Sequence, residues 1–141
     1  MINIEEPGDG SHIYGKGDSS FQAAGGEAGI RQLVDCFYDH MEQLPEAAKI
    51  LAMHPEDLLT SRDKLARFLC GWMGGPNRYK EKYGAIAIPR AHAHLDIGSA
   101  ERDAWLLCME KALAQQVYAP EFRVYLLKQL SVPAERSRNR D

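Results

Sequence analysis

"AHAHLDIGSAERDAWLLCMEKAL", residues 91–113, sets two histidines two positions apart and then turns into a helix. Ser99 stands near the start, Glu101 and Asp103 suit the N-terminal dipole, and Trp105, Cys108, Met109, Ala112 and Leu113 recur at helical spacing as a buried stripe. His92 and His94 diverge by about 200° on a helix and share a face on a strand. Ahead of them, Ile86/Ile88 and Leu95/Ile97 alternate as a strand does, but Pro89 interrupts the run and no partner strand is evident. An isolated strand pair has little to stabilise it, so the pattern predicts an irregular segment over 83–97.

Outward from there the helical period dominates. Ile30, Leu33, Val34, Phe37, Tyr38 and Met41 trace one helix face behind a Gly25–Gly26 corner, and Pro45 suits the first turn of a short successor. Leu65, Phe68, Leu69, Trp72 and Met73 define a second long helix, which Gly74, Gly75 and Pro76 stop. A last helix begins at Pro120, with Phe122, Tyr125, Leu126, Gln129 and Leu130 at its spacing. The fold class is all-α.

A chain of 141 residues fits one domain, and 45% hydrophobic with 26% charged residues is an ordinary globular composition. Residues 1–20, rich in Gly, Ser and Asp, read as a flexible extension, 21–133 as the folded domain and 134–141 as a polar tail. A net charge of −3 excludes a broad basic surface for nucleic acid or anionic lipid. No run approaches the roughly 20 apolar residues of a membrane span, and the N-terminus has acids where a signal peptide has lysines. Cys36, Cys70 and Cys108 are odd in number and form no CxxC pair, which points to a reducing cytoplasm rather than a disulfide framework.

Polar groups on apolar faces are the candidates for chemistry. Tyr38 follows Val34 and Ile30 on the buried face, and Trp105 opens the third long helix on its apolar side. Both need hydrogen-bond partners if buried, which backbone carbonyls in a plain core can supply. His92 and His94 could join His40, His54 or Asp96 around zinc, but no diagnostic spacing fixes such a set. A single axial histidine beneath a large apolar cofactor such as haem is the other option.

Taken together, "GGEAGIRQLVDCFYDHM" (25–41), "HPED" (54–57), "FLCGWMGGPNRYKEKYG" (68–84) and the opening stretch resemble the group II truncated haemoglobins over residues 21 to about 131. The glycine corner, the terminating GGP and a histidine nine residues before ERDAW are jointly specific. The resemblance implies a two-over-two helical sandwich around haem b, with a long loop before the proximal histidine. His92 matches that iron ligand and His94 does not. Tyr38 and Trp105 match the distal tyrosine and tryptophan, whose OH and NH stabilise a bound diatomic ligand by donation.

The same resemblance places Ser61, Leu65, Phe68 and Leu69 on the helix covering the distal side. Phe37, Trp72, Ile97 and Met109 complete the implied haem pocket. Arg67, Arg78, Tyr79 and Arg90 are the implied contacts to the haem propionates; Arg62, Lys64, Lys80 and Lys82 read as solvated surface. The chain also departs from the family pattern. His54 stands where an aromatic is common and adds a titratable distal donor. Ala91 stands where arginine is usual, His94 replaces a common proline, and Leu95 a common phenylalanine.

The implied function is binding of dioxygen and other diatomic ligands, used for nitric oxide dioxygenation or for detoxifying peroxide and other reactive species, with an unidentified reductase as partner. A monomer or weak homodimer without nucleic-acid or membrane partners fits the charge and hydropathy. A non-catalytic oxygen-binding or sensing globin is one alternative. A haem-free helical interaction protein is another.

Overall fold

The structure, a computed structural model, describes residues 14–85, 95 and 97–139. His92, His94, Pro89 and Arg90 lie outside the described residues, as does most of the segment expected to be irregular. Those described form α1 (Ser19–Ala23), α2 (Gly26–Gln43), a 3-10 turn (Pro45–Ala47), α3 (Ala48–Ala52), α4 (Leu59–Trp72), α5 (Arg78–Tyr83), α6 (Ser99–Ala114) and α7 (Pro120–Ser137). Among them no strand occurs, and no helix is long and apolar enough to cross a membrane.

The architecture is two antiparallel helix pairs packed on one another. In α2/α4, Arg31 early in α2 pairs with Asp63 while Asp35 and Asp39 further along reach back to Arg62, so the chain directions oppose. In α6/α7 the connection is short, and Arg102 near the start of α6 meets Glu135 near the end of α7. The α2 stripe is buried along its full length, as its spacing requires. Phe37 and Trp105, with ring centroids 4.9 Å apart, join the two pairs.

The stop of α4 is set by local chemistry. Gly74 adopts φ 93°, Gly75 N–H donates to the Cys70 carbonyl (2.9 Å) and Gly74 N–H to that of Gly71 (3.0 Å). This is a Schellman closure, whose left-handed residue favours glycine. A Cβ on Gly74 would also run into the Gly17 carbonyl, and one on Gly75 into the Phe21 ring. The GGP stop is thus also the surface on which the N-terminal segment docks.

That docking moves the expected domain edges. Residues 14–20, read as part of a flexible extension, are packed: Tyr14 lies 4.9 Å from Phe122 and 5.1 Å from Tyr125, and Ser20 Oγ accepts the Gly15 N–H (2.9 Å). Phe21 N–H donates to the Met73 carbonyl (3.1 Å). At the other end α7 continues through Ala134, which is buried, to Ser137. An aromatic patch on α7 captures the first segment, and the Leu126, Leu130, Ala134 stripe carries the helix past residue 133.

Replacing Gly74 by alanine should cost about 1–3 kcal/mol, because it forces a side chain into the left-handed region against backbone. Urea unfolding of the variant, compared with an exposed control such as Gly84→Ala that meets no neighbour within 4 Å, measures the part due to the docked segment.

Candidate functional site

A cavity of about 330 Å³ opens between the helix pairs. Its walls are largely apolar: Leu65, Phe68 and Leu69 from α4, Ile50 and Met53 from α3 and the turn after it, and Leu130, Pro133 and Ala134 from α7. Leu95 and Ile97 line it just before α6. Tyr38, His54, Ser61, Lys64, Tyr79, Glu101, Arg102, Trp105 and Ser137 bring the polar groups.

Tyr38, His54 and Trp105 are linked by ring contacts. Trp105 packs on Phe37, Phe37 meets Tyr38 edge-on at 5.0 Å, and Tyr38 meets His54 edge-on at 5.6 Å. Phe37 is fully buried and forms the platform behind the phenol and the indole. The Tyr38 hydroxyl donates to the Ser61 carbonyl at 3.4 Å, long for an O–H···O bond. The indole N–H of Trp105, a donor only, has no protein acceptor among the described residues. His54 Nδ1 lies 2.8 Å from the Ile50 carbonyl, which can only accept, so this nitrogen carries the proton.

Burial pushes the Tyr38 phenol far above the usual tyrosine range, opposed by the Arg62 charge 5.6 Å from its ring. The hydroxyl therefore stays protonated and able to donate. Arg62 is held over that ring by Asp35 and Asp39, each at 3.1 Å. Glu101 accepts the Gly98 N–H at 2.7 Å, capping α6, and reaches Lys49 of α3 at 3.3 Å. The Gly98 bond, with help from Lys49, holds its carboxyl below the ordinary range.

Several residues expected at the site fall elsewhere. Phe37 and Met109 are fully buried and do not line the cavity, and Trp72 lines a smaller cleft with Gly15, Ser20 and Tyr125. Arg67 and Arg78 do not line the cavity. Arg67 is committed to Asp63 (2.9 Å), and Arg78 to Glu27 (3.4 Å) and Glu81 (3.2 Å). Lys64, read from the sequence as solvated, lines the cavity with Tyr79 and makes no ion pair among the described residues. Glu101, expected only as a helix-dipole partner, also lines the cavity, as do Arg102, Ser137 and the end of α7; continuing the α7 stripe past residue 133 is the signal for the α7 residues, and none marks Arg102.

Comparison with known proteins gives these features a family. The family model for bacterial-like globins matches residues 19–136. The group 2 truncated hemoglobin YjbI of Bacillus subtilis (strain 168) is 33% identical over 109 residues, covering 77% of this chain and 80% of that protein. The chain belongs to the bacterial-like globin family. Among solved globins, the cold-adapted truncated hemoglobin of Pseudoalteromonas haloplanktis TAC125 superposes with a TM-score of 0.83 at 32% identity, over 86% of this chain and 98% of that one. The group II 2-on-2 hemoglobin of Agrobacterium tumefaciens superposes with a TM-score of 0.81 at 38% identity, over 86% and 95%.

Membership carries haem b as cofactor and a diatomic ligand as the class of molecule bound, in place of a haem-free helical module. The cavity fits such a group. Its apolar walls suit a macrocycle, the under-satisfied Tyr38 and Trp105 donors suit a polar ligand, and Lys64 suits anionic edge groups.

Asp63 binds the framework beneath. Its carboxylate accepts from Arg31 (2.8 Å), Arg67 (2.9 Å), Lys82 (2.9 Å) and the Tyr83 hydroxyl (2.6 Å). Desolvation works against the charged form, but hydrogen bonds from Tyr83, Lys82, Arg31 and Arg67 outweigh it and hold the carboxyl far below its ordinary range. A depressed folded-state value gives stability that is present above the unfolded-state value of about 3.9 and is lost as pH falls below it. Asp63→Asn should therefore cost about 2–3 kcal/mol at pH 7 and flatten the loss of stability below about pH 4, read by urea unfolding across pH.

Proposed function

We propose that the cavity would hold haem b, that His92 would bind its iron, that Tyr38, Trp105 and His54 would serve the bound diatomic ligand, and that the protein converts nitric oxide to nitrate. The observation that carries this reading is the pair of donors, Tyr38 and Trp105, fixed on one buried platform at an apolar cavity without good protein acceptors. Haem iron, when bound, supplies the centre for a diatomic ligand and the electron in NO + O2 + e− → NO3−, which an external one-electron reductase returns.

The protein's own part is donation and exclusion. Tyr38 exchanges its long bond to Ser61 for a ligand that draws electron density, and Trp105 donates from a second helix. Phe37 holds both rings in place. Leu65, Phe68 and Leu69 keep water from the ligand, which strengthens both donations. Lys64 and Tyr79, which line the cavity, would hold the carboxylate groups of haem; Arg90 would join them on sequence grounds alone.

A second reading, peroxide reduction, is favoured by the fixed orientation of His54. With the proton on Nδ1, the neutral ring offers Nε2 as a base. Such a group can take a proton from one peroxide oxygen and return it to the other in H2O2 + 2 e− + 2 H+ → 2 H2O, with electrons from the same class of reductase.

Tyr38→Phe and Trp105→Phe should each raise the dioxygen dissociation rate about tenfold, corresponding to roughly 1.4 kcal/mol per lost donation. Stopped-flow rates unchanged in both variants would remove them from the site. Mixing the ferrous protein, equilibrated with dioxygen, with one equivalent of nitric oxide should give one equivalent of nitrate; recovery of nitrite alone defeats the dioxygenation reading.

His54→Gln separates the two reactions. It should slow peroxide consumption about a hundredfold, at the low end of general-base effects, and leave nitrate formation within a few-fold of the parent. Equal losses in both assays would show that His54 shapes the pocket rather than moves a proton.

A further inference from the structure

We propose that Asn139 is a positioning residue for the axial ligand, clamping the chain just after the segment that carries His92. The proposal rests on the assignment of His92 made above. Three hydrogen bonds define the clamp. Asn139 N–H donates to the Ile97 carbonyl (2.7 Å), Ile97 N–H donates to Asn139 Oδ1 (2.9 Å), and Asn139 Nδ2 donates to the Leu95 carbonyl (2.7 Å). They join parts of the chain 42 and 44 residues apart.

The residue type matters. A planar amide presents an acceptor and a donor side by side, so one side chain satisfies an N–H and the carbonyl two residues earlier, as a neighbouring strand would. Ile97 is buried, and both Ile97 and Leu95 line the cavity, so the clamped backbone is itself cavity wall. Directly after it, Gly98 is held by Glu101.

Asn139 is in turn placed by α7. Glu135 pairs with both Arg102 of α6 (2.7 Å) and Arg138 (2.7 Å), which fixes the helix end from which Asn139 extends. His92 lies three residues before Leu95 and eight after Gly84, where α5 has ended. Among the described residues, the clamp is the nearest tether to it along the chain. Its loss frees the backbone at Leu95 and Ile97, which follows His92 in the sequence, without removing any group from the cavity.

The test uses the full chain loaded with haem. The readouts are the iron–imidazole stretching band of the ferrous form by resonance Raman, the rate of haem transfer to excess apomyoglobin, and the thermal midpoint. Asn139→Ala should shift or broaden the band and raise haem loss about tenfold, the loss of two side-chain bonds. Asn139→Asp keeps the acceptor but not the donor and should fall between; it also supplies the measurement if the alanine variant does not fold. Arg136→Ala, an exposed neighbour, should match the parent.

A band and haem-loss rate unchanged in both Asn139 variants overturn the clamp, as does a lowered thermal midpoint with the band unmoved. His92→Gly separates the two claims. If it abolishes the band while Asn139→Ala leaves the band intact, His92 stands and the clamp falls. If the band survives in His92→Gly, the axial assignment falls and the clamp with it.

Discussion

The carboxylate of Asp63 is the interaction on which the site depends. It collects donors from α2, α4 and α5 at one point, and α5, none of whose residues is fully buried, is otherwise held by the part-exposed Arg78–Glu27 pair and the long Arg67 bond to the Arg78 carbonyl. A helix of six residues with no fully buried side chain gains little from the hydrophobic effect to fix its place. The donors Lys82 and Tyr83 dock the end of α5, which leaves Tyr79, one turn earlier, on the cavity wall. The cost is that Arg67, expected at the haem edge, is consumed as framework.

With that corner fixed, the cavity becomes a property of large aromatic residues packed on one side only. Phe37 fills the core and offers its surface to Tyr38 and Trp105, both of which line the cavity. A smaller residue at 37 would leave both rings free to reorient into the space, so a buried residue that does not line the cavity sets the geometry of two that do. Arg62 closes the outer face of Tyr38 and is itself locked by carboxylates of α2. The phenol is thus bounded on three sides, leaving the hydroxyl as its adjustable part.

Much of this is legible in the sequence because it depends on local spacing. The i, i+4, i+8 relation of Ile30, Val34 and Tyr38 puts the phenol on the buried face before any partner is known, and Gly74–Gly75 announces the α4 stop by backbone chemistry alone. The family likeness is carried by motif spacing, whereas the choice of His92 over His94 rests on that resemblance alone, both histidines lying outside the described residues. What escaped depends on contacts far apart in the chain. Nothing near Tyr14 tells that Phe122 and Tyr125 will receive it, and nothing near Asp63 tells that Arg31 and Tyr83 will join it, although its i, i+4 pair with Arg67 is visible in the sequence. The tail at 134–141 looked merely polar because polar composition does not distinguish a solvated end from one whose amide meets a backbone more than forty residues away.

The first turn of α6 ties the two sides of the cavity together. Glu101 and Arg102 are adjacent, and about 100° of helical rotation points them at different neighbours. Glu101 holds Gly98 and reaches Lys49 on α3, the helix whose Ile50 carbonyl orients His54. Arg102 reaches Glu135, next to the Asn139 clamp. A displacement of this turn must therefore disturb the His54 side and the Leu95–Ile97 side together, while Trp105, one turn further along the same helix, moves with them. Residues 95–105 thus matter as the place where the Leu95–Ile97 cavity wall, the Glu101–Arg102 ties and the Trp105 ring share one short length of backbone.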